Sequence, residues 1–168
     1  MSEFQNGGGD LAATNKIAAL LELAFKLASA EDEYNADTPG APVDRVTMSL
    51  ATPLVASFTA VLPIRDTKDT TAISVAPRNY LSEFGEFDPG TAGDITSTHL
   101  PGAFFEAAQV VHTAEKLIRA NVVTNAPNTV TIATDLEART ATIVCNLPVG
   151  YELAPEGILM KAFDFLPA

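Results

Sequence analysis

The residues of this chain best suited to chemistry are its two histidines, its single cysteine and a few glutamates at matched positions. His112 precedes Glu115 by three residues, so the two side chains could touch on one helix face and act as a general base or as metal ligands. His99 is predicted to lie in a loop just before that helix. No HxH or HExxH spacing adds the further ligands that a metal site requires. We therefore expect both histidines to be structural or exposed.

The cysteine and the glutamates also have ordinary structural interpretations. Cys145 falls in the alternating apolar set of a predicted strand, where a cysteine behaves as a small hydrophobic residue rather than as a nucleophile. Glu22 and Glu106 occupy matched positions on two predicted helices, as do Glu31 and Glu115. Paired carboxylates can form an acid–base couple or a metal site. Helix-face glutamates are more often solvated charges, and that is the expectation here.

No glycine pattern predicts a nucleotide or metal site. The run GGG at 7–9 indicates a flexible joint, because it neither follows a predicted strand nor opens a helix. The segment DPGTAGD (88–94) lacks the spacing of a Ca²⁺ loop, and Asp10 and Asp94, each after a glycine, fit turn or capping roles. No GxSxG motif occurs. We predict no catalytic, cofactor-binding or metal-binding residue, no cofactor and no enzymatic activity.

Composition and charge restrict the class of protein. The chain has 168 residues, 47% of them hydrophobic, which is enough to bury a core. Its 21 acidic and 10 basic residues give a net charge of −11, and no three cations cluster, so we expect no nucleic-acid partner. The longest apolar stretch, around 17–30, contains Glu22 and Lys26, which argues against a membrane span. The first ten residues lack the features of a signal peptide, so we expect a soluble protein not secreted by that route.

The organisation of the chain is given by an internal repeat. The sequence VTM at 46–48 matches VTI at 130–132 with an offset of 84 residues. Further along, LPI at 62–64 matches LPV at 147–149 with an offset of 85, so one residue has been added near the first hairpin turn of the second copy.

The repeat also preserves the pattern of side chains that a half-buried strand requires. In both copies the fully apolar positions alternate with mixed ones, as the period of two in a strand demands. The apolar set is Ala56, Phe58, Ala60 and Leu62 in the first copy and Ala141, Ile143, Cys145 and Leu147 in the second. We therefore predict that these positions face the core.

Each copy is predicted to be a helix followed by three strands. The predicted helices are 14–34, with Thr14 as its cap, and 101–120, with Pro101 in its first turn. The predicted strands are 45–51, 54–63, 70–77, 129–134, 138–147 and 157–165. RDTKD (65–69) and GYELAPEG (150–157) are interpreted as turns.

The fold class that follows is α+β, a tandem duplication of a helix plus a three-stranded antiparallel meander (αβββ–αβββ) with a pseudo-twofold axis. The domain interpretation is a first repeat with an N-terminal arm at 1–81, a linker at 82–100 and a second repeat at 101–168. A unit of about 70 residues is near the lower limit for independent stability, so the two copies are expected to pack on each other.

The favoured function is that of a non-enzymatic structural or assembly protein that binds other protein subunits. In general character the chain resembles small accessory proteins of tailed-phage virions, such as capsid cement, decoration or tail components. The resemblance implies a capsid or tail assembly as partner and the virion as location. Contacts are expected in parts outside the repeat, namely the arm (1–10), the linker and the long turn (150–157). The residues predicted to bind the partner are Phe4, Phe84, Phe87, Asp88 and Tyr151.

Two alternatives remain open at this point. One is a small-ligand binder or enzyme with a pocket between the copies, which would be lined by Phe104, Phe105, Tyr80 and Phe165 with His112 as its polar group. The other is a regulatory module that uses its acidity to mimic nucleic acid, although only Glu31-Asp32-Glu33 forms an acidic run.

Overall fold

A computed structural model describes residues 4–51, 54–68, 73–121, 127–154, 157–163 and 165–166. It confirms the α+β class, with two helices and a six-stranded antiparallel sheet. Each half of the chain contributes a helix followed by three strands. The elements are α1 (Lys16–Asp37), β1 (Val46–Ala51), β2 (Val55–Lys68), β3 (Ile73–Pro77), α2 (Leu100–Asn121), β4 (Val130–Asp135), β5 (Thr140–Ala154) and β6 (Gly157–Ala162).

Both helices form where the apolar spacing predicts them, but their starts are fixed by particular side chains. The cap of α1 is Asn15 rather than the predicted Thr14, because the Asn15 Oδ1 accepts a hydrogen bond from the Ala18 N–H at 2.8 Å. Pro101 lies in the first turn of α2 as predicted, where its missing N–H costs nothing.

The sheet is built around two long strands, β2 and β5, which pair with each other over Val55–Pro63 and Thr140–Pro148. β1 pairs with the outer edge of β2, and β4 pairs with the outer edge of β5, which gives the order β1-β2-β5-β4. The distal ends of β2 and β5 pair instead with β3 and β6. The two halves therefore share one sheet.

The predicted turns RDTKD and GYELAPEG are largely strand. β2 continues to Lys68 and β5 to Ala154, because their backbones pair with β3 and β6 in two antiparallel ribbons. The charged residues of these segments are typical of a turn. A two-stranded ribbon can also hold charged residues, because much of its surface is exposed to water. Residues 70–72, which begin the predicted strand 70–77, lie outside the described residues. Residues 69, 155, 156 and 164, which belong to other predicted turns and strands, lie outside them as well.

One core lies between the helices and a single face of the sheet. The eight predicted inward positions on β2 and β5 are all buried, none more than 2% exposed. The helices pack on each other, and each also contacts a strand of the other half, α1 against β6 and α2 against β3. The Phe58 ring from β2 meets the Phe104 ring from α2 with centroids 5.1 Å apart. Among the described residues neither helix has the length and apolarity to cross a membrane.

Candidate interaction surface

The face of the four-stranded part of the sheet that points away from the helices is the most distinctive surface of the molecule. Because side chains alternate along a strand, it is formed by the residues between the buried ones. We call it the open face; its residues are Thr47 and Ser49 of β1, Val55, Ser57, Thr59, Val61 and Pro63 of β2, Thr140, Thr142, Val144, Asn146 and Pro148 of β5, and Thr131, Ala133 and Asp135 of β4. All of them are half-buried or exposed.

The open face carries almost no charge. Asp135, at the rim on β4, is its one charged residue, and Arg65 follows beyond the far end of the face on β2. Sheets that face water alternate apolar and polar residues, and the polar ones here are threonine, serine and asparagine. Near the centre the Ser57 Oγ donates to the Asn146 Oδ1 across the two strands at 2.8 Å.

The structure distributes the residues predicted to bind a partner over different environments. Phe4 and Phe87 are only 6% and 4% exposed, so both rings belong to the core. Phe84 is half-buried against that core, whereas Asp88 is exposed. The backbone of Tyr151 lies in β5 opposite Met160, and its side chain lies outside what the structure describes. The structure does not bring these residues together on the open face.

The N-terminal arm and the linker bind each other. The Asp10 carboxylate accepts from the Asp88 N–H at 2.8 Å, and the Asp10 N–H donates to the Asp88 carbonyl. In the same way the Asp94 carboxylate accepts from the Gln5 N–H at 2.7 Å, while the Asp94 N–H donates to the Gln5 carbonyl. We call these two segments, 5–10 and 88–94, the clasp. The turn or capping role predicted for the two aspartates is therefore wrong, because their carboxylates bind N–H groups of a segment distant in sequence.

Glycines allow the two segments of the clasp to approach so closely. A Cβ on Gly9 would collide with the Asp88 carbonyl oxygen, and one on Gly93 would lie 2.8 Å from the Gly7 backbone. Gly7 and Gly90 also adopt positive φ angles of 73° and 70°. The GGG run is therefore an ordered contact rather than a flexible joint.

Both histidines hold backbone groups. The His99 Nδ1 accepts the Gly102 N–H at 3.0 Å, which caps the start of α2. Burial, and secondarily the charge of Arg65, lowers the pKa of His99 below its ordinary value, so the neutral form that this bond requires is favoured. The His112 Nδ1 lies 3.0 Å from the Val130 carbonyl oxygen at the start of β4. These are structural roles, as the sequence predicts.

Cys145 is a core residue. It is 1% exposed, and burial raises the pKa of its thiol to about 12, with a smaller contribution from the charge of Glu115. A thiol with such a pKa is protonated at neutral pH and is a poor nucleophile.

The expectation that the matched glutamates are solvated is wrong for Glu31 and Glu115, which are 3% and 0% exposed. The Glu31 Oε1 accepts the N–H groups of Arg45 and Val46, at 2.8 and 3.1 Å, just where β1 begins. Glu115 accepts the N–H groups of Thr129 and Val130 and the Thr129 hydroxyl where β4 begins. Each carboxylate therefore ties the last turns of a helix to the first residue of the following strand.

Glu22 and Glu106 fasten the segments that lead into their own helices. Both side chains are half-buried. Glu22 accepts the N–H groups of Ala12 and Ala13 at 2.9 Å, and Glu106 accepts those of Thr96 and Ser97 at 2.7 and 3.2 Å. Their carboxylates thus accept hydrogen bonds from backbone N–H groups of the residues that precede each helix.

Tyr80 completes the contacts of Glu31. Its hydroxyl donates to the Glu31 Oε2 at 3.1 Å, and the Arg45 guanidinium carbon lies 5.1 Å from its ring centroid. Burial first, and then the negative charge of Glu31, raises the pKa of Tyr80 well above its ordinary value. The phenol therefore acts as a permanent donor to the carboxylate.

Concave sites occur on the helix side of the molecule. A cavity of about 550 Å³ lies along α2, with Lys16, Asp94 and Glu106 as its charged residues. Phe104 and Phe105, which the pocket hypothesis requires, are buried in the core instead of lining it. Within the described part of the chain, no group of three or more histidine, cysteine, aspartate or glutamate side chains is placed to hold a metal ion.

The sequence predicts partner contacts in the arm, the linker and the long turn, and the open face was not among the surfaces predicted. A signal was present, because the residues alternating with the apolar set, such as Ser57, Thr59, Thr142 and Val144, include no charge over nine consecutive residues of each strand. In a chain of net charge −11, two uncharged stretches of this length indicate a sheet face with little charge.

Comparison with known proteins gives no relative. No protein-family model matches the chain, and no curated protein or solved structure is significantly similar to it.

Proposed function

We propose that this protein is a non-enzymatic structural protein that takes part in an assembly by binding other protein subunits through its open face. The observation that carries the proposal is the near absence of charge on the open face of a strongly acidic chain, where Asp135 at the rim is the one charged residue. Charged residues are depleted at the centre of protein interfaces, since burying an unpaired charge is costly. The valines and prolines of the open face can lose water at little cost, and its hydroxyl and amide groups can form hydrogen bonds with polar groups of a partner.

A second line of support comes from how the reactive residues are used. His99 and the buried Glu31 and Glu115 all hold backbone N–H groups of the scaffold. The oxygens of both carboxylates are occupied by N–H and O–H groups of the chain itself, and both side chains are buried away from the surface where a substrate would bind. These residues serve the stability of the fold, as expected of a scaffold protein.

We also propose that the scaffold is a tandem duplication with a pseudo-twofold axis. The equivalence of pairing registers supports it: Val46 is opposite Ala60 in the first half, and Val130 is opposite Cys145 in the second, at the offsets of 84 and 85 that the sequence gives. The two glutamates on the helices bind N–H groups at the same offset of 84. The cap of α1 at Asn15 corresponds at this offset to the cap of α2 at His99.

On this basis the centre of the open face lies where the axis passes. Thr59 and Val144 are opposite each other between β2 and β5 and are also equivalent at the offset of 85. The two sides of the open face are then near-copies of each other.

The setting that we propose is the virion of a tailed phage, as the general resemblance implies, with a capsid or tail component as the neighbouring subunit. Asp88, Phe84 and Tyr151 remain proposed contacts outside the open face. Phe4 and Phe87 would act indirectly, by holding the arm and linker in place, since both are buried.

Sedimentation tests the proposal. Lysate of cells that make the native chain is fractionated on a density gradient, and the chain is followed by antibody. We expect it to sediment with a large particle, and Thr142→Lys on the open face to reduce that fraction. Gln109→Lys, exposed on α2, is the matched control and should leave it unchanged. Recovery of the native chain only at the mass of the free protein would contradict the proposal.

A small-ligand function is the second candidate, favoured by the cavity along α2. Its carboxylates are already engaged, Glu106 with Thr96 and Asp94 with Gln5, which leaves Lys16 as its main polar feature. Thermal shifts by small anions that disappear in Lys16→Met would favour this alternative over the assembly role.

A further inference from the structure

The open face is suited to a second copy of this chain. We propose that two copies stack face to face through their open faces and form a dimer with the helices on the outside. The inference deepens the proposed function, on which it rests, by naming the partner of the same surface.

Charge is the first argument for a second copy. Two molecules of net charge −11 repel each other, and contact between faces that carry carboxylates would add local repulsion. The open face is a surface on which two copies can approach without opposing acids, because its one acid, Asp135, lies at the rim. A basic partner would instead be expected to face an acidic patch.

Self-complementarity is the second argument. An interface between identical copies related by a twofold axis must match itself. The pseudo-twofold axis proposed above passes through the open face at Thr59 and Val144, so both halves of each chain would contribute equivalent positions to such an interface. Short side chains let two sheets approach to the spacing of about 10 Å found in β-sandwiches.

The size of the face is sufficient. Four strands about 4.8 Å apart, the inner two paired over nine residues of about 3.4 Å each, give a footprint of about 500 Å². Two copies would bury about 1,000 Å² in total, which is at the lower end of specific interfaces. We therefore expect a dimer that dissociates on dilution rather than an obligate one.

Sedimentation equilibrium of the purified chain tests the dimer. We expect a concentration-dependent shift from 17.7 kDa to twice that mass, and stronger association as salt rises, because salt screens the repulsion between the copies. A chain that stays at the monomer mass throughout, or whose association weakens steeply with salt, would overturn the inference.

Substitutions at the centre of the face locate the contact. Val144→Asp should weaken dimerisation by about a hundredfold, since like charges would face each other across the interface. Mixing it with Val144→Lys should restore dimers, while Ser29→Asp, exposed on α1, adds the same charge without effect. Thr59→Asp is the second variant if Val144→Asp fails to fold. Dimers unaffected by both open-face aspartates would overturn the inference.

The inference and the proposed function can fail separately. A chain that is monomeric alone but sediments with a particle through Thr142 refutes the self-pairing and keeps the assembly role. A chain that dimerises through Val144 but never sediments with a particle supports the self-pairing and refutes the assembly role.

Discussion

At the scale of single residues, the buried glutamates determine how the helices are joined to the sheet. Glu115→Ala would leave the N–H groups of Thr129 and Val130 without a partner at the start of β4. Hydrogen bonds to a charged acceptor contribute about 1.5–3 kcal/mol, so we expect the free energy of unfolding to fall by about 3 kcal/mol. Urea unfolding measures it. Glu33→Ala, an exposed glutamate of α1, is the control and should change it by less than about 0.5 kcal/mol.

The cap of α2 makes stability depend on pH. Because the pKa of His99 is lower in the folded chain than its ordinary value of 6.5, the unfolded chain binds more protons at slightly acidic pH. The contribution of the neutral ring is complete above pH 6.5 and is lost as pH falls below it toward the folded pKa. His99→Asn keeps a capping acceptor, as Asn15 does for α1, but does not titrate.

Thermal unfolding over this pH range is the measurement. We expect the melting temperature of the wild type to fall more steeply below pH 6.5 than that of His99→Asn. Parallel curves for the two proteins would show that His99 does not carry the dependence.

At the scale of elements, the clasp holds the N-terminal arm to the linker, and glycine is required where the two backbones meet. Gly9→Ala would push a methyl group into the Asp88 carbonyl, and we expect a loss of about 3 kcal/mol, the upper end of overpacking. Gly8→Ala is the matched control. Its φ of +73° carries strain but nothing lies within 4 Å, so about 1–2 kcal/mol is expected. Equal losses in urea unfolding would mean that close approach is not what Gly9 provides.

The sequence predicts the elements well where local spacing determines them, and poorly where distant partners do. The inward positions from Ala56 to Leu62 follow from strand geometry, and all are buried as predicted. The extension of β2 into RDTKD depends on its pairing with β3, and no local sequence pattern predicts that pairing. The burial of Glu115 depends on N–H groups 14 and 15 residues further along the chain. Helical periodicity alone assigns such a glutamate to the solvated face.

The predicted partner contacts also failed where burial depends on residues distant in sequence. The arm and linker lie outside the repeat, so sequence reasoning treated them as free to bind partners. Phe4 and Phe87 are nevertheless buried. The clasp joins the arm to the linker, and the ring that precedes each of its two segments packs in the core. The proposed interaction surface could be identified only from the residues left on the sheet once the buried set was known.

At the scale of the whole molecule, the proposed duplication implies that a link from the end of the second half back to the start of the first would be equivalent to the existing link between the halves. Five residues, 82–86, separate the buried Leu81 from the buried Phe87. Leu166 matches Leu81 at the offset of 85, and Phe4 precedes one segment of the clasp as Phe87 precedes the other. Both Leu166 and Phe4 are buried as well. If the last residue of this sequence is joined directly to the first, five residues again separate this second pair.

A circular permutant follows from this equivalence. We join Ala168 to Met1 with nothing inserted and open the chain between Glu83 and Phe84. A pseudo-twofold axis makes the new connection as long as the one that was cut, so the permutant should fold with a melting temperature within about 4 °C of the wild type, or roughly 1 kcal/mol at this size. The matched control has the same opening with a glycine–serine insert at the joint. If only the control folds, the five-residue connection is too short, and the halves are not related as the repeat requires.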